Sequence, residues 1–191
     1  MKILIATSNR DKFSIISKML KTVIGENLNI KSLLAINPIE DIVEEGNNIE
    51  RAKIKALNAL NKINEEFDYI LGIDDGIIIN NVEYVAVKDH LHEIISGNEV
   101  EIGSILYITR AYYLISKTGF EKCCFNKIPY ILRKKLKEYE IKGYPLNNVI
   151  STVDDEIELK LKTEEELNNY FIKYSLEDLL YLTEELRKEA N

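Results

Sequence analysis

The sequence predicts an α/β fold with two lobes around a cleft, and three observations carry that expectation. Apolar segments in the first 80 residues run strand, helix, strand, helix, strand, an order that favours a layered sheet with crossover helices. The 191 residues suffice for a sizeable buried core. Only 8 Gly and 3 Pro are present, with no internal repeat or low-complexity linker, so residues 1–191 read as one two-lobed domain.

Each element has a local signal. The run 2–6, Lys-Ile-Leu-Ile-Ala, is short, apolar and β-branched, which reads as a buried strand. A polar turn, Thr7 to Lys12, follows, and Phe13, Ile16, Met19, Leu20 and Val23 then recur at helical spacing until Gly25 stops them. A strand is expected over about 28–34. Asn37-Pro38 and an acidic stretch come next, and Ile49, Ala52, Ala56, Ala59, Leu60 and Ile63 form one helical stripe. The run 69–73 reads as a second buried strand closed by Asp74-Asp75-Gly76.

Beyond that point the pattern predicts a long or bent strand over 102–116 and a short basic helix over 134–139. A strand or hairpin is expected over 149–161, with Asp154-Asp155-Glu156 as its turn. A helix begins at Thr163-Glu164-Glu165-Glu166, and 176–190 forms a last amphipathic helix whose leucines pack in the core.

Charge and composition narrow the function classes. Subtracting 32 Asp+Glu from 25 Lys+Arg leaves a net charge of -7, which repels duplex phosphates and argues against a nucleic-acid partner. A small anion remains compatible, because a few local lysines outweigh distant charge. Cys123 and Cys124 are adjacent, a spacing suited neither to a disulfide framework nor to a zinc site. No apolar run reaches the length of a bilayer helix, and the N-terminal run is too short for a signal peptide, so a cytoplasmic protein with no membrane partner is expected.

Three segments carry chemistry. Thr7-Ser8-Asn9-Arg10-Asp11-Lys12 joins a strand to a helix N-terminus, where backbone N–H groups and Lys12 suit a phosphate; an ordinary capping turn has the same composition. Asp74-Asp75 pairs two carboxylates that a divalent cation would relieve, although Asp-Asp-Gly also makes a solvated turn. Glu50 stands in the first turn of a helix, with Lys53 and Lys55 beyond, and a first-turn Glu also favours the helix dipole. Neither a Walker A spacing nor a dinucleotide glycine fingerprint occurs. His90-Leu91-His92 lies in a helical stretch that points the two imidazoles apart, and the basic cluster Arg133 to Lys137 reads as a solvated helix face.

Taken in order, these segments resemble the inosine triphosphate pyrophosphatase family, the non-canonical purine NTP pyrophosphatases. Thr7 to Lys12 resembles its Thr-x-Asn-x-x-Lys motif. Glu50-Arg51-Ala52-Lys53-Ile54-Lys55-Ala56 resembles its Glu-Asn-Ala-x-x-Lys-Ala helix, with Arg51 in place of Asn. Asp74-Asp75-Gly76-Ile77 resembles its Asp-Asp-Ser-Gly strand end. The resemblance implies a mixed central sheet with flanking helices, a homodimer, and magnesium- or manganese-assisted hydrolysis of a nucleoside triphosphate to monophosphate and pyrophosphate. It further implies that Thr7, Ser8, Asn9, Lys12 and Lys55 hold the phosphate chain and that Glu50 and Asp75 ligate the metal. Asp75, Asp74 and Lys12 would serve the reaction.

The likeness fades in the second half. The family's Gly-Gly-x-Pro-Gly loop is reduced to Asn80-Asn81-Val82-Glu83, and its Phe-Gly-Tyr-Asp-Pro segment to Gly143-Tyr144-Pro145. Its terminal Ser-His-Arg motif is missing, with Phe171-Ile172-Lys173 at the equivalent place. Tyr144 and Lys173 are therefore the residues expected at the base, and a modified nucleotide is one expected substrate. A catalytically weakened nucleotide-binding or regulatory module is the alternative.

Overall fold

The structure is a computed structural model that describes residues 1–35, 45–85, 87–96, 100–137 and 145–190. Among them are seven strands and five α-helices. The strands are β1 (Lys2–Ala6), β2 (Asn29–Ser32), β3 (Tyr69–Ile79), β4 (Val82–Tyr84), β5 (Ile105–Ser116), β6 (Glu121–Leu132) and β7 (Ile150–Thr152). The helices are α1 (Arg10–Ile24), α2 (Asn48–Lys62), α3 (Val87–Ser96), α4 (Glu164–Leu182) and α5 (Glu184–Ala190). Strand order is β2-β1-β3-β5-β6-β7, with β4 paired to β3. Parallel β2-β1-β3 pairing beside antiparallel β3-β4 and β6-β7 makes the sheet mixed, as expected. No helix among the described residues is long and apolar enough to cross a membrane.

The chain divides into two compact units. One comprises Met1–Asp74, Arg110–Asn126 and Ser175–Asn191; the other comprises Asp75–Thr109 and Lys127–Tyr174.

In the first unit, Leu4 and Ala6 of β1, Ile70 of β3, and Ala111, Tyr113 and Ile115 of β5 form one core with Ala52, Ala56 and Ala59 of α2. The alternate residues Ile3 and Ile5 are equally buried on the other face, as parallel strands covered on both sides require. The small side chains of α2 let the helix lie very close to the sheet. A Cβ added to Gly72 would stand 2.0 Å from the Ala52 carbonyl oxygen, so only glycine fits there.

The second unit is built around Tyr130, fully buried on β6, whose ring meets that of Tyr170 on α4 at 5.4 Å. Thr163 starts α4 with a reciprocal cap: the Glu166 N–H donates to Thr163 Oγ1, and the Thr163 N–H donates to Glu166 Oε2 over 2.7 Å. Asn80 and Asn81 have φ of 49° and 65° and link β3 to β4 in a two-residue turn with the backbone twist such hairpins prefer.

Several elements differ from the sequence expectation. Residues 74–76 do not close a strand; β3 runs through them to Ile79. The described residues 134–137 are not helical, and the rest of that expected helix lies outside the described residues. The final helical region is continuous from 164 to 182 and breaks only at Thr183. Within 149–161 a short strand and a 3-10 turn at Leu159–Leu161 are joined by a Ser151–Glu158 bridge around the expected turn. Strand β6, with both cysteines in it, had no counterpart in the sequence reading.

Candidate active site

The site begins where β1 ends. Ala6 pairs with Gly72, and β3 continues past that point while β1 turns away at Thr7. Thr7 therefore starts its turn beside the segment of β3 that carries Asp74, two residues beyond Gly72. Carboxyl ends of parallel strands are where α/β sheets collect ligands.

The Thr7–Lys12 turn is held by its own hydrogen bonds. The buried Thr7 accepts through Oγ1 from the Asn9 N–H at 3.2 Å. Asn9 caps α1, its Oδ1 accepting from the N–H groups of Asp11 (3.0 Å) and Lys12 (3.1 Å). The capping role open in the sequence is thus the one Asn9 fills, while Ser8 stands exposed and Lys12 half-buried in the first turn.

Helix α2 projects two cations onto β3. Arg51 and Lys55, four residues apart, share a helix face. Arg51 Nε donates to Asp74 Oδ2 at 2.9 Å, and Lys55 Nζ donates to Asp74 Oδ1. All three are largely removed from water, with side-chain exposures of 13% for Arg51, 18% for Lys55 and 5% for Asp74. Asp75 is half-buried and, as the next residue along β3, points to the opposite face.

A second polar group stands on the same helix. Lys53 lies 3.5 Å from Glu121 Oε2 and 5.1 Å from the Tyr113 ring centroid, and Tyr113 donates its hydroxyl proton to Glu121. That bond, helped by the Lys53 charge, lowers the Glu121 pKa, while burial raises that of Tyr113. The sequence reading missed this group because Glu121 belongs to the unrecognised β6. Arg51 carried a usable signal, since its i, i+4 spacing to Lys55 puts it on the face that meets Asp74.

Of the expected metal ligands, Glu50 is engaged within the protein. Glu50 completes a capping box, with Oε2 accepting from the Asn47 N–H at 2.8 Å and Asn47 Oδ1 accepting from the Glu50 N–H at 3.1 Å. Asp75 is turned away from Asp74, and Asp74 already faces two cations. At about 5 Å and an effective dielectric near 20, a divalent ion and one unit charge repel by roughly 7 kcal/mol. Among the described residues no group of three His, Cys, Asp or Glu side chains is placed to hold a metal ion. The side chains of His90 and His92 lie outside what is described.

Tyr144 lies outside the described residues. Lys173, in the second unit, holds both oxygens of Asp154 at 2.8 Å, a pairing that raises its pKa. It would have to release Asp154 before meeting a nucleobase.

No protein-family model and no curated protein matches the sequence. Solved structures do match the fold. A nucleoside-triphosphatase / dITP/XTP pyrophosphatase from Mycobacterium abscessus superposes with a TM-score of 0.65 at 15% identity, covering 94% of this chain and 97% of that one. A HAM1 protein from Coxiella burnetii gives 0.71 at 14% identity, covering 97% and 99%. The Ham1 protein of Staphylococcus aureus gives 0.60 at 12% identity, covering 98% and 97%. At these identities the likeness establishes the fold.

Proposed function

We propose that this chain, which shares its fold with Ham1 and dITP/XTP pyrophosphatase structures, hydrolyses a nucleoside triphosphate to the monophosphate and pyrophosphate. The reading is supported by the Ala6–Gly72 register, which starts the turn before α1 next to the strand segment that carries Asp74, and by the bonds of Asp74 to Arg51 and Lys55. Lys12, Arg51 and Lys55, with the partial charge of the α1 N-terminus, are the groups proposed to meet the phosphate chain.

In the proposed reaction a water oxygen bonds to the α-phosphorus. The bond to the α,β-bridging oxygen breaks, and pyrophosphate leaves with the electron pair. The cations offset the charge gathering on the phosphate oxygens. Asp74 acts by holding Arg51 and Lys55 in place. Among the described residues no group of three His, Cys, Asp or Glu side chains is placed to hold the expected magnesium. A homodimer and a cytoplasmic location accompany the proposal, and light scattering of the purified protein checks the first.

A second reading, nucleotide binding without turnover, is favoured by one observation: the carboxylates of Glu50 and Asp74 are both engaged by the protein itself. Screening the common NTPs and dNTPs, dITP and XTP for pyrophosphate release separates the two. Release that Lys12→Ala abolishes, with the melting temperature unchanged, supports hydrolysis. Nucleotide binding with no release across the panel selects the second reading.

A further inference from the structure

We infer that Lys53 is a positioning residue: with Glu121 and the Tyr113 hydroxyl it fixes how α2 is turned on the sheet, and so keeps Arg51 and Lys55 on Asp74. What Arg51 and Lys55 then meet rests on the triphosphate reading above.

The need for such a tie lies in the sequence of α2. Ala52 and Ala56 are its residues over Gly72 of β3. Such small side chains let the helix lie close but interlock little, so they set its distance better than its rotation. Each residue advances the helix by about 100°, which puts Arg51 and Lys55 on one flank of the Ala52–Ala56 line and Lys53 on the other. Arg51 Nε reaches Asp74 Oδ2 at 2.9 Å on the first flank, and Lys53 Nζ stands 3.5 Å from Glu121 Oε2 on the second. A roll of about 20° at a radius of about 5–6 Å moves a side chain by about 2 Å, enough to break either contact. Arg51 has little slack, because it uses Nε, the guanidinium nitrogen nearest its own backbone.

The second flank has a firm base. Tyr113 is 6% exposed, and its ring lies in the same core as the alanines of α2. Its hydroxyl donates to the Glu121 carboxylate that faces Lys53. The Tyr113 contact, and after it the Glu121 charge, raise the Lys53 pKa, so the ammonium is kept. An ion pair with side chains 43% and 49% exposed adds little to overall stability. Its loss is therefore read in the setting of Arg51 and not in the melt.

NMR on the full chain tests this through the exchange rate of the Arg51 Nε–H, assigned by its disappearance in Arg51→Lys. Glu121→Lys puts like charges on the second flank and should speed that exchange at least about threefold, with the melting temperature unchanged. Glu121→Gln should act in the same direction, and it stands in should Glu121→Lys fail to fold. The exchanged pair, Lys53→Glu with Glu121→Lys, should return the rate to within about twofold of the wild type, because the Tyr113 hydroxyl can donate to a carboxylate on either element. This double variant has the wild-type net charge, and by calorimetry in millimolar Mg2+ it should bind inorganic tripolyphosphate within about threefold of the wild type. Unchanged Nε–H exchange in the folded single variant would overturn the inference, as would failure of the double variant to restore it. A loss of about tenfold or more in tripolyphosphate affinity with Nε–H exchange restored would place Lys53 on the phosphate itself and overturn the positioning role. Exchange rates in the expected order, with no tripolyphosphate bound by the wild type, would uphold the positioning and overturn the triphosphate reading.

Discussion

Arg51 Nε donates to Asp74 Oδ2 over 2.9 Å, tying the first turn of α2 to the middle of β3. A carboxylate this buried in a strand needs a counter-charge, and here it has two. Asp74→Ala would leave Arg51 and Lys55 facing each other with little water to screen them. The expected loss is about 3–5 kcal/mol in urea denaturation at neutral pH, and adding Arg51→Leu should return part of it.

Gly72 is the second joint between α2 and β3. Because the atom in the way is the Ala52 backbone oxygen at 2.0 Å, no rotamer change relieves Gly72→Ala. Helix and strand must separate, at a cost of about 1–3 kcal/mol or more, read as a lower urea midpoint at unchanged slope.

These two joints show what was legible in the sequence. Strand β1 and helices α1 and α2 follow from local periodicity and caps; β1 and α2 end within a residue of expectation, while α1 starts at Arg10, inside the expected polar turn. Strand β3 did not, because Asp-Asp-Gly has turn chemistry; pairing with β4 and the cations of α2 carry the strand through it. Strand β6 mixes Lys, Cys, Asn and Pro and lacks clean alternation, and only its place between β5 and β7 makes it a strand. Within the site, the sequence names Asp74 and Lys55 separately, whereas their ion pair depends on how closely α2 approaches the sheet.

Acid should act through Asp155. Its pKa is held at about 2, first by Lys162 Nζ, then by the Thr152 hydroxyl and the Ile157 N–H. The folded value lies below the ordinary 3.8, so its contribution is present above about pH 4 and is lost as pH falls through 2. Melting temperatures of wild type and Asp155→Asn should therefore differ most near neutrality and converge between about pH 4 and pH 2.

The two cysteines should react unequally. Cys123 is exposed on β6, whereas burial, aided by Asp178, pushes the Cys124 thiol up to about 12. At pH 8 that leaves about one Cys124 in ten thousand as thiolate. Iodoacetamide on the native protein should add one label, on Cys123, with the second appearing only in denaturant; peptide mass spectrometry reads both.

Isotope placement tests attack of water at the α-phosphorus most directly. Turnover of a responsive triphosphate in 18O-enriched water should give a monophosphate carrying the label and unlabelled pyrophosphate. Label in inorganic phosphate with a diphosphate as the second product, or no turnover of any triphosphate, would contradict it.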